Sequence, residues 1–200
     1  TNGELNWEKR DRGIPANSYP FYIYFYNSRI GFATGNTNVY KTTDEGLSWN
    51  LAFTGGAQKL YFKDSLNGYR AMQGFFRTTN GGLKWVADTL PSVIGNGTTA
   101  KIPSSFTIIN NDIIYCVGAY IQYANFSSKA IIYKTTNGGL NWGYQIPDTN
   151  LNFFKFIIPF STNKNNVWLY WTWKVLYSST GGDSTVYLGI NQITNEVPND

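Results

Sequence analysis

Apolar residues in this chain come in short runs broken by Asn, Gly, Ser and Asp. Phe21 to Tyr26 is followed by Asn27, Leu60 to Phe62 by Asn67, Phe106 to Ile109 by Asn110 and Asn111, and Phe153 to Phe160 by Asn165 and Asn166. After each break comes a second run: Ile30-Gly31-Phe32-Ala33, Gly68-Tyr69-Arg70-Ala71, Ile113-Ile114-Tyr115-Cys116 and Val167-Trp168-Leu169-Tyr170. Runs this short, rich in aromatic and β-branched residues and bounded by turn formers, predict strands joined in hairpins. No stretch sustains apolar residues at helical spacing with capping residues at its ends, so an all-β chain with almost no helix is expected.

Beyond these paired runs a turn repeats nearly verbatim. Tyr40-Lys41-Thr42-Thr43-Asp44-Glu45-Gly46-Leu47-Ser48-Trp49 returns as Phe76-Arg77-Thr78-Thr79-Asn80-Gly81-Gly82-Leu83-Lys84-Trp85 and as Tyr133-Lys134-Thr135-Thr136-Asn137-Gly138-Gly139-Leu140-Asn141-Trp142, and Thr1-Asn2-Gly3-Glu4-Leu5-Asn6-Trp7 is a partial copy. The tryptophans lie 42, 36 and 57 residues apart, which suits a three- or four-stranded unit used repeatedly. An Asp or Asn oxygen at the centre can accept backbone N–H groups of its own turn, with the Thr hydroxyls adding to the cage. Gly46, Gly82 and Gly139 are expected to supply positive φ, and the flanking aromatic and Trp to cover apolar surface from the two arms. A decayed fifth copy, Tyr177-Ser178-Ser179-Thr180-Gly181-Gly182, counted without gaps puts Gly181 at the Asx position and Val186 at the Trp position. The side-chain cage is expected to be lost there.

At these residues the chain resembles the Asp-box (BNR) repeat family, whose pattern is roughly Ser/Thr-x-Asp-x-Gly-x-Thr/Ser-x-Trp. The variant Lys-Thr-Thr-Asn-Gly-Gly-Leu-x-Trp is most similar to the photosystem-assembly-factor type and related secreted bacterial propellers. The resemblance spans Thr1 to about Gly189 and implies a β-propeller, with each box between the third and fourth strands of a blade and structural in role. It assigns that role to Asn2, Trp7, Asp44, Gly46, Trp49, Asn80, Gly82, Trp85, Asn137, Gly139 and Trp142. The expected units are 1–17 (partial), 18–59, 60–100, 101–150 and 151–190, with a polar linker or tail at 191–200. That is about four blades plus a partial one, at the lower limit of closed propellers. Because Thr1 falls inside a box, the chain is expected to be part of a larger propeller, unless the Trp7 strand closes the ring against the last blade.

Composition narrows the chemistry. The 200 residues contain no His, which removes Ser-His, Cys-His and His-metal sites, and neither a metal nor a cofactor is expected. Eighteen per cent aromatic with 14% charged residues suits an exported β-rich domain, and the single Cys116, between Tyr115 and Val117, is expected to be a buried thiol. The net charge of +4 is scattered, the densest cluster being Lys9-Arg10-Asp11-Arg12, so no nucleic-acid partner is expected. Lys155 interrupts the best candidate and no apolar run reaches the roughly 18 residues a membrane helix needs, so no membrane-spanning helix is expected either. Ile193-Thr194-Asn195-Glu196-Val197-Pro198-Asn199-Asp200 resembles the linker before the sorting domain of proteins exported by the bacterial type IX (Por) system, which implies a secreted or cell-surface location.

Two functional readings follow. The first is a non-catalytic binding or assembly module that offers surfaces to a protein, a glycan or a copy of itself. Its candidate contacts are Tyr120, Tyr123 and Phe126, in a segment longer than its counterparts, and Trp171 and Trp173, in an aromatic cluster. The alternative is a glycoside hydrolase of the Asp-box propeller type acting through paired carboxylates. Its candidates are Asp64, Asp88, Asp112 and Asp148, expected in solvated turns or at unit ends. A sialidase is not expected, since the chain offers no matching Arg, Tyr and Glu set.

Overall fold

The computed structural model describes residues 7–93, 98–122, 127–146, 158–171, 174–181, 186–188 and 193–194. Among them there is no helix, and the strands form antiparallel sheets. The chain divides into two compact units, one of Thr1–Arg70 with Arg77–Trp85 and one of Ala71–Phe76 with Val86–Asp200.

The first sheet is a meander of β1 (Tyr22–Phe25), β2 (Gly31–Thr34), β3 (Asn38–Thr42) and β4 (Asn50–Thr54). Its register runs through Tyr22↔Thr34, Gly31↔Thr42 and Lys41↔Asn50. Strand periodicity sorts the side chains of β1: Ile23 and Phe25 are exposed, whereas Tyr22 and Tyr24 join a core of Phe32, Val39, Leu60 and Phe62. Phe32 stacks on Phe62 with centroids 4.8 Å apart. The Tyr24 hydroxyl donates to the Phe62 carbonyl and accepts from its N–H, at 2.9 and 3.2 Å, so an apolar contact gains a polar clasp.

The second sheet repeats the meander with β5 (Lys59–Phe62), β6 (Gly68–Ala71), β7 (Phe75–Thr78) and β8 (Val86–Ala87). Every residue of β6 is buried, Arg70 included. The Arg70 guanidinium donates to the carbonyls of Gly55 and Gly56 and lies over the rings of Phe53 and Trp85, which satisfies a cation that apolar surroundings would otherwise exclude. Burial lowers its pKa.

In the second unit, β9 (Thr98–Ile108), β10 (Ile114–Gln122), β11 (Ser127–Thr135) and β12 (Trp142–Gln145) form a third meander. The β10–β11 hairpin pairs from Ile114↔Thr135 to Gln122↔Ser127. The residues that make this unit longer in sequence are therefore strand as well as loop. Gly118 marks a bulge against β9, where a Cβ would stand 2.1 Å from the Ile102 carbonyl oxygen. A three-stranded sheet of β13 (Ile158–Ser161), β14 (Val167–Trp171) and β15 (Lys174–Ser178) packs on it, with Tyr115, Val117 and Ala130 meeting Val167 and Leu169.

One pairing departs from the expected units. Strand β16 (Val186–Leu188) lies along β12 through Tyr144↔Val186 and Trp142↔Leu188, so it extends the third sheet rather than completing the fourth. The backbone groups on the outer edge of β12 find partners this way. A further strand, β17 (Ile193–Thr194), pairs with β16 inside the stretch expected to be a polar tail.

Candidate functional site

Three near-identical turns leave the third strands of their sheets. In the first, the buried Thr42 hydroxyl accepts the N–H groups of Asp44 and Gly46 at 3.2 and 2.9 Å and donates to Asp44 Oδ1 at 2.7 Å. Thr78 with Asn80 and Gly82, and Thr135 with Asn137 and Gly139, repeat these bonds at similar lengths. The central Asx then accepts an N–H four residues on, from Ser48, Lys84 or Asn141, each at 2.9 Å. Only the first Thr of each pair takes part; Thr43, Thr79 and Thr136 are exposed.

Two consecutive residues in each turn adopt positive φ. The second is Gly46, Gly82 or Gly139, at 84°, 89° and 91°, and the first is Gly81 or Gly138, at 70° and 67°. In the first turn that place is taken by Glu45 at 65°, a conformation that L side chains adopt at a cost of about 1–2 kcal/mol. The N–H at this position is tied to the hairpin ahead of it: Glu45 to the Arg29 carbonyl, Gly81 to Leu66 and Gly138 to Asp112, at 3.1, 2.8 and 2.9 Å.

Asp44 differs from its Asn counterparts in having charge. The Ser48 hydroxyl at 2.5 Å, then the Ser48 N–H and the Thr42 hydroxyl, hold its pKa at about 2, below the usual 3.8. A carboxyl depressed on folding adds stability above its unfolded pKa and loses it as pH falls through the folded one. Asp44→Asn keeps the acceptor that Asn80 and Asn137 provide but does not titrate. The urea midpoint of the variant is therefore expected to fall less steeply than wild type between pH 3.8 and about 2.

The tryptophans after the turns divide. Trp49 and Trp142 are buried, and Trp85 is half-buried under Arg70 with its centroid 5.3 Å from that of Phe53. Trp49 Nε1 donates to the Arg10 carbonyl at 3.0 Å and Trp142 Nε1 to the Asp88 carboxylate at 3.1 Å. Trp7 is 97% exposed, so it does not cover apolar surface as its counterparts do. Asn2 lies outside the described residues.

The decayed copy keeps more of the turn than a gapless count allows. Ser178 Oγ stands 3.3 Å from Thr180 Oγ1 and accepts the Thr180 N–H, as Thr135 does for Asn137. Gly181, at φ 66°, donates to the Asn165 carbonyl, as Gly138 does to Asp112. The correct register therefore sits one residue earlier, with Thr180 at the Asx position and Thr185 at the Trp position. A reduced hydroxyl cage survives.

Of the binding candidates, Tyr120 is corrected: it is 2% exposed, because its strand continues the β10 ladder and turns the ring into the core. Burial, then the neighbouring Tyr144, raises its pKa. Tyr123, Phe126 and Trp173 lie outside the described residues, and Trp171 ends β14 opposite Lys174. Tyr170, which belongs to the same aromatic cluster in sequence, is exposed on the fourth sheet together with three residues that sequence reading passed over as contacts, Phe160, Val175 and Tyr177. Alternation along β14 and β15 is the signal that finds them, since Val167, Leu169 and Leu176 point the other way, into the core.

The carboxylates are not alike. Asp64 closes its own turn, accepting the N–H groups of Leu66 and Asn67 and the Asn67 amide on both oxygens, and these bonds lower its pKa. Asp112 is exposed, and Asp148 lies outside the described residues. Asp88 contradicts the expectation of a solvated position: it is buried, drawn in by the Trp142 indole. Together with burial itself, Asp88 raises the pKa of Cys116, which is a fully buried thiol.

Between the third and fourth sheets opens a cleft of about 220 Å³, lined by Tyr115, Ile132, Gln145, Leu169, Leu176 and Tyr177 among others. It is smaller than the roughly 300–1,000 Å³ typical of small-molecule pockets, and suits a single ring system. The hydroxyl of Tyr115 is 3.0 Å from the carbonyls of both Lys164 and Gly181.

The chain is similar in structure to a GH74 enzyme of Niastella koreensis, with 21% identity and a TM-score of 0.56 over 80% of this chain and 28% of that one. It is also similar to the computationally designed Ika4 protein (12% identity, TM-score 0.48, 86% of this chain and 99% of that one). A third likeness is to YCF48 bound to D1 peptide (15% identity, TM-score 0.41, 80% and 78%). The first shows the fold, an all-β architecture of the β-propeller class; the other two, at TM-scores below 0.5, carry no argument. The chain spans about 28% of the length of the enzyme. No family model and no curated protein matches it.

Proposed function

We propose that this chain is a non-catalytic β-propeller module of a secreted or cell-surface bacterial protein, binding a protein or glycan partner or further copies of itself. Its repeated turns are read as Asp boxes, which hold the blades and take no part in recognition. The observation that carries this reading is the commitment of the candidate carboxylates: both oxygens of Asp64 are bonded within its own turn, and Asp88 is buried against Trp142. A glycosidase needs two carboxyl groups facing one substrate across a groove, one of them able to give up a proton. The exposed aromatic face of the fourth sheet suits recognition by contact instead. Export is supported by the resemblance of residues 193–200 to a type IX linker and by the aromatic-rich, charge-poor composition.

Incubated with soluble β-glucans, the protein is expected to release no reducing sugar over background. Release that Asp64→Asn or Asp112→Asn abolishes would replace this reading with the glycosidase.

A further inference from the structure

The repeated turns keep one residue that their hydroxyl cages do not use. Leucine follows the glycine at the second positive φ in all three, and its N–H donates to the carbonyl of Asp44, Asn80 or Asn137 at 3.2, 3.4 and 3.4 Å. Any residue but proline could make that bond. The side chains stand in solvent, with Leu47 53%, Leu83 86% and Leu140 72% exposed. A single exposed leucine is ordinary on a protein surface, but one at the same tip of three copies is a pattern.

Within the first unit such tips gather at one end of the strands. The Glu45 N–H bonds to the Arg29 carbonyl and the Gly81 N–H to that of Leu66, so each repeated turn lies beside the first hairpin turn of its own sheet. Phe32, just after one of those hairpin turns, stacks on Phe62, just before the other, and the Tyr24 hydroxyl clasps the Phe62 backbone. Leu47, Leu66 and Leu83 therefore crown the same end, and Leu66 too is more than half exposed. Around them stand five basic side chains, Arg29, Lys41, Lys63, Arg77 and Lys84, and three acidic ones, Asp44, Glu45 and Asp64. The carboxylates of Asp44 and Asp64 are folded into their own turns, whereas Arg29, Lys63 and Lys84 are exposed.

We infer that this end of the first unit docks on an anionic lipid surface, with the leucines entering the headgroup and acyl boundary and the basic side chains meeting the phosphates. The alternation of apolar and polar residues selects lipid over a protein pocket, which would need a continuous apolar patch. Leu83 is bordered by exposed Thr79, Asn80 and Lys84. A fluid headgroup layer closes round separate tips and gives the polar residues between them partners of their own. Each tip is set before contact by its Thr hydroxyl and its two successive positive φ angles, so little chain entropy is lost on insertion. Leu140 gives the second unit a tip of the same kind. This goes beyond the binding-module reading, and sugar release from glucan, which would replace that reading, leaves it untouched.

Floated on a density gradient with vesicles of phosphatidylglycerol and phosphatidylcholine in equal parts, the 200-residue chain is expected to rise with the lipid. Leu83→Ser weakens this partition by about tenfold, the factor that transfer of one leucine side chain out of water is worth. Lys84→Gln weakens it by about fivefold, and added salt removes that difference. Both positions are exposed, and an unchanged urea midpoint checks that the fold is intact. Because Cys116 is buried and is the one natural thiol, a polarity-sensitive dye attached to a Leu83→Cys chain reports that tip alone, and its emission shifts to the blue when vesicles are added. A wild-type chain that does not float overturns the inference. So do equal partition onto phosphatidylcholine alone, a Leu83→Ser chain that floats as well as wild type, and a dye whose emission the vesicles leave unchanged.

Discussion

Trp142→Ala is expected to destabilise the protein by about 3–5 kcal/mol, the range for removing a buried Trp or Phe from a packed core. The ring is 2% exposed and meets Phe75 edge-on at 5.1 Å, and its indole N–H is the donor that draws Asp88 inward. Truncation opens a cavity beside Phe75 and at the same time deprives a buried carboxylate of that donor, so hydrophobic and electrostatic costs fall together. In urea the midpoint should drop with little change in slope. Trp142→Phe separates the two contributions, since it keeps most of the ring and loses only the N–H. A Trp142→Ala chain within about 1 kcal/mol of wild type would mean that the turn does not depend on its tryptophan.

Thr135→Val is the second large effect. The two side chains have nearly the same shape, but the Thr135 hydroxyl is fully buried and accepts the N–H groups of Gly139 and Asn137 while donating to Asn137 Oδ1. Valine leaves the Gly139 N–H buried without that acceptor, at a cost of about 1–3 kcal/mol for that group alone. Thr135→Ser is expected to recover most of the loss in urea denaturation. Thr136→Val, on the exposed neighbour, should stay within about 0.5 kcal/mol of wild type. Equal losses at 135 and 136 would show that strand propensity, not the hydroxyl, governs the turn.

The all-β architecture was legible because it depends on local spacing, whereas the place of each turn between third and fourth strands was implied by the resemblance to the Asp-box family. Asp44, Gly46 and their counterparts interact with residues two to four positions away, and a repeat displays such relations directly. What could not be read locally was decided by distant contacts. Asp88 looked like a solvated residue at the end of a unit, and is buried by an indole 54 residues further on. Tyr120 looked like a loop aromatic because its unit is long, yet the extra residues lengthened a ladder whose alternation turns the ring inward. The decayed copy was misaligned by one residue because Tyr177 was matched to Tyr133 by type. The hydroxyl of Ser178 sets the register, and hydrogen bonds rather than aromatic identity define the turn. The cleft was invisible in sequence, since its lining comes from both the third and the fourth sheet.

The bond that ties each turn to the hairpin before it also bears on the chemical durability of the turn. Asn80-Gly81 and Asn137-Gly138 are the dipeptide most prone to deamidation, in which the glycine nitrogen attacks the asparagine side-chain carbonyl to give a cyclic imide. In the folded chain those two nitrogens are engaged as donors to the carbonyls of Leu66 and Asp112, and the asparagine oxygens are held by Thr78 and Thr135. The same contacts that shape the turn thus withhold its nucleophile and fix its target. An imide that opened to aspartate would reproduce the side chain already present at Asp44, whereas one that opened to isoaspartate would insert an extra backbone carbon where two successive residues must hold positive φ.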